Sequence, residues 1–109
     1  MECTTTKEGK LFIVDVAGRL DANTAGKFES NCSDWLAQGE TDMIVDMSGV
    51  DYISSAGLRS ILISAKKLRV HDGDIVFCGL QGMVEEVFKM SGFEKMFKVF
   101  ATREQAVEG

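Results

Sequence analysis

No proline occurs anywhere in the 109 residues, and no repeat, low-complexity stretch or linker composition interrupts them, so the chain offers no boundary at which to divide it. One domain over residues 1–109, built on one hydrophobic core, is expected at this length. No apolar run approaches the roughly 20 residues that cross a bilayer. The opening MECTTTKEGK also lacks the charged and apolar regions of a secretory signal, so the chain is expected to stay in the cytoplasm without direct membrane insertion. Lys and Arg never gather into a block that could track a phosphate backbone, and the formal net charge is -5, so nucleic acid is excluded as a partner. Histidine occurs once, as His71, and Cys3, Cys32 and Cys78 are odd in number with no CxxC spacing. No metal site or cofactor is therefore expected, and the thiols are read as small apolar residues. What remains is 45% hydrophobic and 27% charged, a composition that fills an interior, solvates a surface and argues against disorder.

The apolar spacing divides the chain into strands and helices. Glu2 to Thr6 and Leu11 to Val16, either side of Lys7-Glu8-Gly9, predict a hairpin. Asp21-Ala22-Asn23-Thr24 offers capping side chains, and Ala25, Phe28, Cys32, Trp35 and Leu36 fall at helical spacing, predicting a helix from about Ala22 to Ala37. Met43 to Met47 is a short apolar run suited to a strand buried on both faces. Leu58, Ile61, Leu62, Ala65 and Leu68 then repeat at steps of three and four while Arg59, Lys66, Lys67 and Arg69 fall off that stripe, as in an amphipathic helix. A turn at His71 to Asp74, a strand over Ile75 to Cys78, a short helix carrying Met83, Val87, Phe88 and Met90 and closed by Ser91-Gly92, a strand over Phe97 to Phe100 and a last helix from Thr102 complete the order. This alternation implies an α/β fold: a mixed, mostly parallel β-sheet with an N-terminal hairpin and about four helices. Loops at the carboxyl ends of the parallel strands are the default place for function.

Residues Asp46 to Arg59 form the connection after the Met43 to Met47 strand and lead into the amphipathic helix. Two serines and Gly57 sit at its start. A serine hydroxyl at an N-cap accepts a bond from a backbone N–H two or three residues on, worth about 1 kcal/mol. Free N–H groups at a helix start also favour a phosphate on a nearby hydroxyl. On the residues alone, both a plain cap and a modified serine remain open.

The order of elements and the run Asp46-x-Ser48-x-Val50-x-x-Ile53-Ser54-Ser55-Ala56-Gly57-Leu58-Arg59 resemble the STAS domain of bacterial anti-sigma-factor antagonists. Gly18-Arg19-Leu20-Asp21 before the first helix, and Gly92-Phe93 with the Phe97 strand, extend the resemblance to nearly the whole chain. It implies a domain whose unphosphorylated form binds an anti-sigma factor that is also an ATP-dependent serine kinase, thereby releasing the sigma factor. Phosphorylation by that kinase ends binding until a serine phosphatase restores the hydroxyl. Carried onto this sequence, the acceptor is Ser55, two residues before Gly57, and the partner-binding residues are Asp21, Ser54, Ser55, Ala56, Gly57, Leu58 and Arg59. The family pattern places an acidic residue before the acceptor and a hydroxyl residue after it. Ser54 and Ala56 stand there instead, which makes Ser54 the alternative acceptor.

Other features point to packing rather than chemistry. Asp21, Asp46 and Asp51 are candidates for an acidic cluster near Ser55, but no nucleophile and base join them, so the chain is read as a non-enzyme and the carboxylates as capping or solvated. His71 is read as a helix-end residue and the six methionines mainly as packing, with adaptable interface contacts as the lesser alternative. The alternative function is a cytoplasmic STAS subunit of a membrane transport complex for lipid or anion, which needs no phosphorylation.

Overall fold

A computed structural model describes all residues, 1–109. The chain begins with an antiparallel hairpin of β1 (Glu2–Glu8) and β2 (Leu11–Leu20), with Glu8 opposite Leu11 across a turn in which Gly9 takes φ +59°. There follow α1 (Ala25–Ala37), β3 (Asp42–Ile53), α2 (Ser55–Val70), β4 (Asp74–Cys78), α3 (Gly82–Ser91), α4 (Phe93–Met96), β5 (Val99–Phe100) and α5 (Arg103–Glu108). The five strands form one sheet in the order β1-β2-β3-β4-β5, and every pairing after the hairpin is parallel.

Alternation along the strands explains the layering. Phe12, Val14 and Val16 of β2, Met43, Val45 and Met47 of β3, and Ile75 and Phe77 of β4 face the main core, where Phe28 of α1, Ile61, Ala65 and Leu68 of α2, and Val84 and Phe88 of α3 meet them. Phe77, Phe88, Phe93 and Phe97 close one end with ring centroids 5.2–5.5 Å apart. The intervening residues Ile13, Ile44 and Cys78 face the opposite side, where Ala106 of the six-residue α5 covers them.

Several expectations shift. The strand expected to end at Met47 continues to Ile53, because its second half pairs with Ala17 to Leu20 of β2, through register shifts near Asp15 and Gly18. Most of the stretch read as a connection after that strand is thus extended sheet, with Val50 and Ile53 buried. α1 starts at Ala25 rather than Ala22, since Asp21 to Thr24 form a turn in which the Asp21 carbonyl accepts the N–H groups of Thr24 and Ala25. There are five helices, not about four: Gly92, at φ +80°, ends α3 in the left-handed conformation and starts α4. The Phe97 to Phe100 strand shrinks to Val99–Phe100, because Phe97 closes α4 and turns its ring into the aromatic cluster.

Candidate functional site

The site is built where two parallel strands leave the sheet side by side. Arg19 pairs with Tyr52 and Leu20 with Ile53, so the β2–α1 turn and the start of α2 emerge at the same edge. The Ser54 N–H donates to the Leu20 carbonyl at 3.0 Å, tying the two exits together. Gly57, in the first turn of α2, lies against the same residue. A Cβ there would stand 2.4 Å from the Leu20 carbonyl oxygen, so only glycine lets the helix approach so closely.

The two serines have separate duties. Ser54 is the N-cap in extended conformation, and its half-buried Oγ accepts the Gly57 N–H at 3.3 Å. Its carbonyl accepts the Leu58 N–H at 2.9 Å. Ser55 is the first helical residue, exposed, with a hydroxyl that enters no hydrogen bond within the chain. Of the first-turn N–H groups, that of Gly57 is taken by Ser54, while those of Ser55 and Ala56 have no carbonyl one turn back to receive them.

Asp21 lies in the adjoining turn. Its carboxylate accepts the Asn23 N–H at 2.9 Å and Arg19 Nε at 3.3 Å; the backbone bond foremost, with Arg19 and Thr24, holds it below the ordinary aspartate range. The Arg19 guanidinium in turn lies over the Tyr52 ring at 4.0 Å, joining β2 to β3 on the exposed side. Ala56 and Leu58 are half-buried, Leu58 against the core, and Arg59 is exposed with no ion pair. The edge thus gathers Asp21 and the Ser54 to Arg59 run. It also includes Arg19, which stands in the Gly18 to Asp21 motif but was not assigned to the site, and Tyr52, whose place beside Arg19 depends on the pairing of β2 with β3.

Asp46 does not join them. It lies buried in the middle of β3, where Arg103 of α5 reaches its Oδ2 at 3.0–3.1 Å and also pairs with Asp15 on β2. Asp51 is exposed on β3. The candidate acidic cluster at Ser55 is therefore replaced by an ion-pair network centred on Arg103. His71 sits at the end of α2 with Nδ1 3.1 Å from the Lys67 carbonyl oxygen. Burial pushes the Cys32 and Cys78 thiols up to about 12 and about 11, which leaves them poor nucleophiles. No three His, Cys, Asp or Glu side chains are grouped to hold a metal, and no helix is long and apolar enough to cross a membrane.

A mostly parallel sheet flanked by helices, with a serine pair and glycine at the start of the second helix, defines a class, and sequence comparison agrees with it. The STAS domain model matches residues 2–106. BtrV of Bordetella bronchiseptica, assigned as an anti-sigma factor antagonist, is 38% identical over 106 residues, covering 97% of this chain and 91% of the relative. Among solved structures, an anti-sigma factor antagonist of Thermotoga maritima superposes with a TM-score of 0.91 at 20% identity, covering 97% of this chain and 92% of that one. The phosphorylated form of the Bacillus cell fate determinant SpoIIAA gives 0.75 at 19% identity, with coverage of 98% and 97%. The chain belongs to the STAS domain family, among the anti-sigma factor antagonists. These relatives are regulators rather than catalysts.

Proposed function

We propose that the unphosphorylated chain binds an anti-sigma factor that is itself an ATP-dependent serine kinase, so that the sigma factor is released, and that phosphate on Ser55 ends the complex until a serine phosphatase removes it. The observation that carries this reading is the division of labour at the start of α2. Ser54 is committed to the cap, whereas the Ser55 hydroxyl is exposed and unbonded beside free N–H groups that favour an anion. A kinase can take Ser55 without dismantling the helix start, and Ser54 only by breaking the cap. The same division favours Ser55 over Ser54 as acceptor. Asp21, Ala56, Leu58 and Arg59 supply the contact surface on that edge, with Gly57, buried against Leu20, setting the approach of the helix start, and the chain works in the cytoplasm, where ATP and sigma factors are found.

The test is incubation with the cognate kinase and ATP followed by peptide mapping. One phosphate on Ser55 is expected. A phosphate on any other residue, or none under conditions in which the kinase phosphorylates another antagonist, overturns the assignment.

A further inference from the structure

α2 contains Arg59, Lys66, Lys67 and Arg69 and not one of the chain's 17 acidic residues, although the net charge is -5. The ordinary explanation is that cations in the last turn complement the helix dipole. It accounts for Lys67 and Arg69, which also have local partners. Lys67 reaches Ser33 Oγ at 3.1 Å, while Arg69 pairs with Asp74, donates to the Met96 carbonyl and lies over the Phe97 ring. It does not account for Arg59, near the positive end of the dipole, or for Lys66. Both are exposed and neither has an ion pair or hydrogen bond within the chain. Ser55, Arg59, Lys66 and Val70 follow one another at steps of four, seven and four, which places them along one face of the helix. Val70, at the far end, is 80% exposed.

We infer that this face, from Ser55 to Val70, is a cationic docking ridge that seats an acidic, apolar-tipped surface of the anti-sigma factor. The inference rests on the function proposed above and names the chemistry of the partner's surface. Charge complementarity carries it: two unpaired cations stand in line on an otherwise acidic domain, continuous with the switch serine and ending on an uncovered valine. It also explains how phosphorylation acts beyond the serine itself. A phosphate of roughly -1.5 to -2 charges at the head of the ridge reverses the local field that attracts an acidic partner.

The test is titration calorimetry of the intact domain against the serine-kinase anti-sigma factor at low and high salt, with Lys66→Glu, Lys66→Arg and Val70→Asp. Lys66→Glu should weaken binding about tenfold and flatten its salt dependence, as charge reversal at an interface rim does. Val70→Asp should weaken it as well, and Lys66→Arg should bind like the parent. Circular dichroism checks that each variant is folded, which exposure at both positions favours. If Lys66→Glu and Val70→Asp bind like the parent while Ser55→Asp does not, the ridge is wrong and the switch stands. If Ser55→Asp itself binds like the parent, the switch fails and takes the ridge with it. If Lys66→Glu instead abolishes self-association in sedimentation, or binding to phosphatidylglycerol vesicles, with the kinase affinity unchanged, the occupant is a second copy or a membrane and the inference is overturned.

Discussion

The Leu20 carbonyl oxygen occupies the position that a side chain on Gly57 would need: a Cβ there would stand 2.4 Å away. The same carbonyl accepts the Ser54 N–H at 3.0 Å, so a single backbone oxygen sets the height of α2 over the β2–α1 turn. Gly57→Ala must push the helix start away from that turn. A loss of about 1–3 kcal/mol is expected, as for overpacking elsewhere, together with weaker partner binding because Asp21 and Ser55 no longer share one edge. Urea denaturation and calorimetry measure the two effects, and an alanine variant as stable as the parent would show that the contact relaxes freely.

Phosphate on Ser55 should switch binding without unfolding the domain. At the first position of α2 it meets free N–H groups rather than the core, and helix-dipole effects of about 0.3–1 kcal/mol make the change in the free domain near neutral or slightly stabilising. In the complex, the same charge enters an interface shaped for a hydroxyl, at a cost of several kcal/mol. Ser55→Asp should therefore lose most of its affinity with little change in melting temperature, whereas Ser55→Ala should bind and resist the kinase. Loss of binding that tracks a lowered melting temperature would count against the mechanism.

Arg103 holds α5 to the sheet. This six-residue helix is too short to persist alone, buries only Ala106 fully, and is anchored by one guanidinium shared between Asp15 and Asp46 on neighbouring strands. Cys78 lies beneath it at 0% exposure, whereas Cys32, also buried, belongs to the main core between α1 and α2. Arg103→Gln should raise the alkylation rate of Cys78 about tenfold, the loss of roughly 1.4 kcal/mol of charged hydrogen bonding. Cys32 should label no faster. Mass spectrometry of alkylated peptides separates the two thiols, and equal acceleration of both would mean that α5 opens only with the whole domain.

The acid limb of the stability curve should carry the mark of Asp46. Burial raises its carboxyl, but the Ser48 backbone and hydroxyl and the Arg103 guanidinium outweigh burial, so the folded value lies below the ordinary aspartate range. A group depressed on folding binds its proton more readily in the unfolded chain. Its contribution is complete above the ordinary aspartate value and disappears as pH falls through the depressed one. Asp46→Asn should therefore cost about 1–3 kcal/mol at neutral pH and converge with the parent in acid. Urea midpoints across a pH series test this, and curves that stay parallel would exclude it.

The sequence alone determined most of the strands and helices and their order, and it marked the serine pair and glycine at the start of α2 on which the proposed switch rests. Apolar spacing is a local signal, and residues such as Val14, Val45, Ile61 and Phe88 are buried where their periodicity places them. The motif from Ile53 to Arg59 was legible for the same reason, since a cap, a small residue and an apolar stripe all lie within a few turns. Tertiary structure decided what local spacing does not encode. The stretch Ser48-Gly49-Val50-Asp51 carries too little apolar signal to read as strand, and it is extended because β2 pairs with it. Which serine caps and which stays free depends on where α2 begins, and that is set by Leu20, far earlier in the chain. Asp46 looked like a neighbour of Ser55 along the sequence. It pairs instead with Arg103, because burying a carboxylate in a sheet demands a cation wherever the fold can bring one.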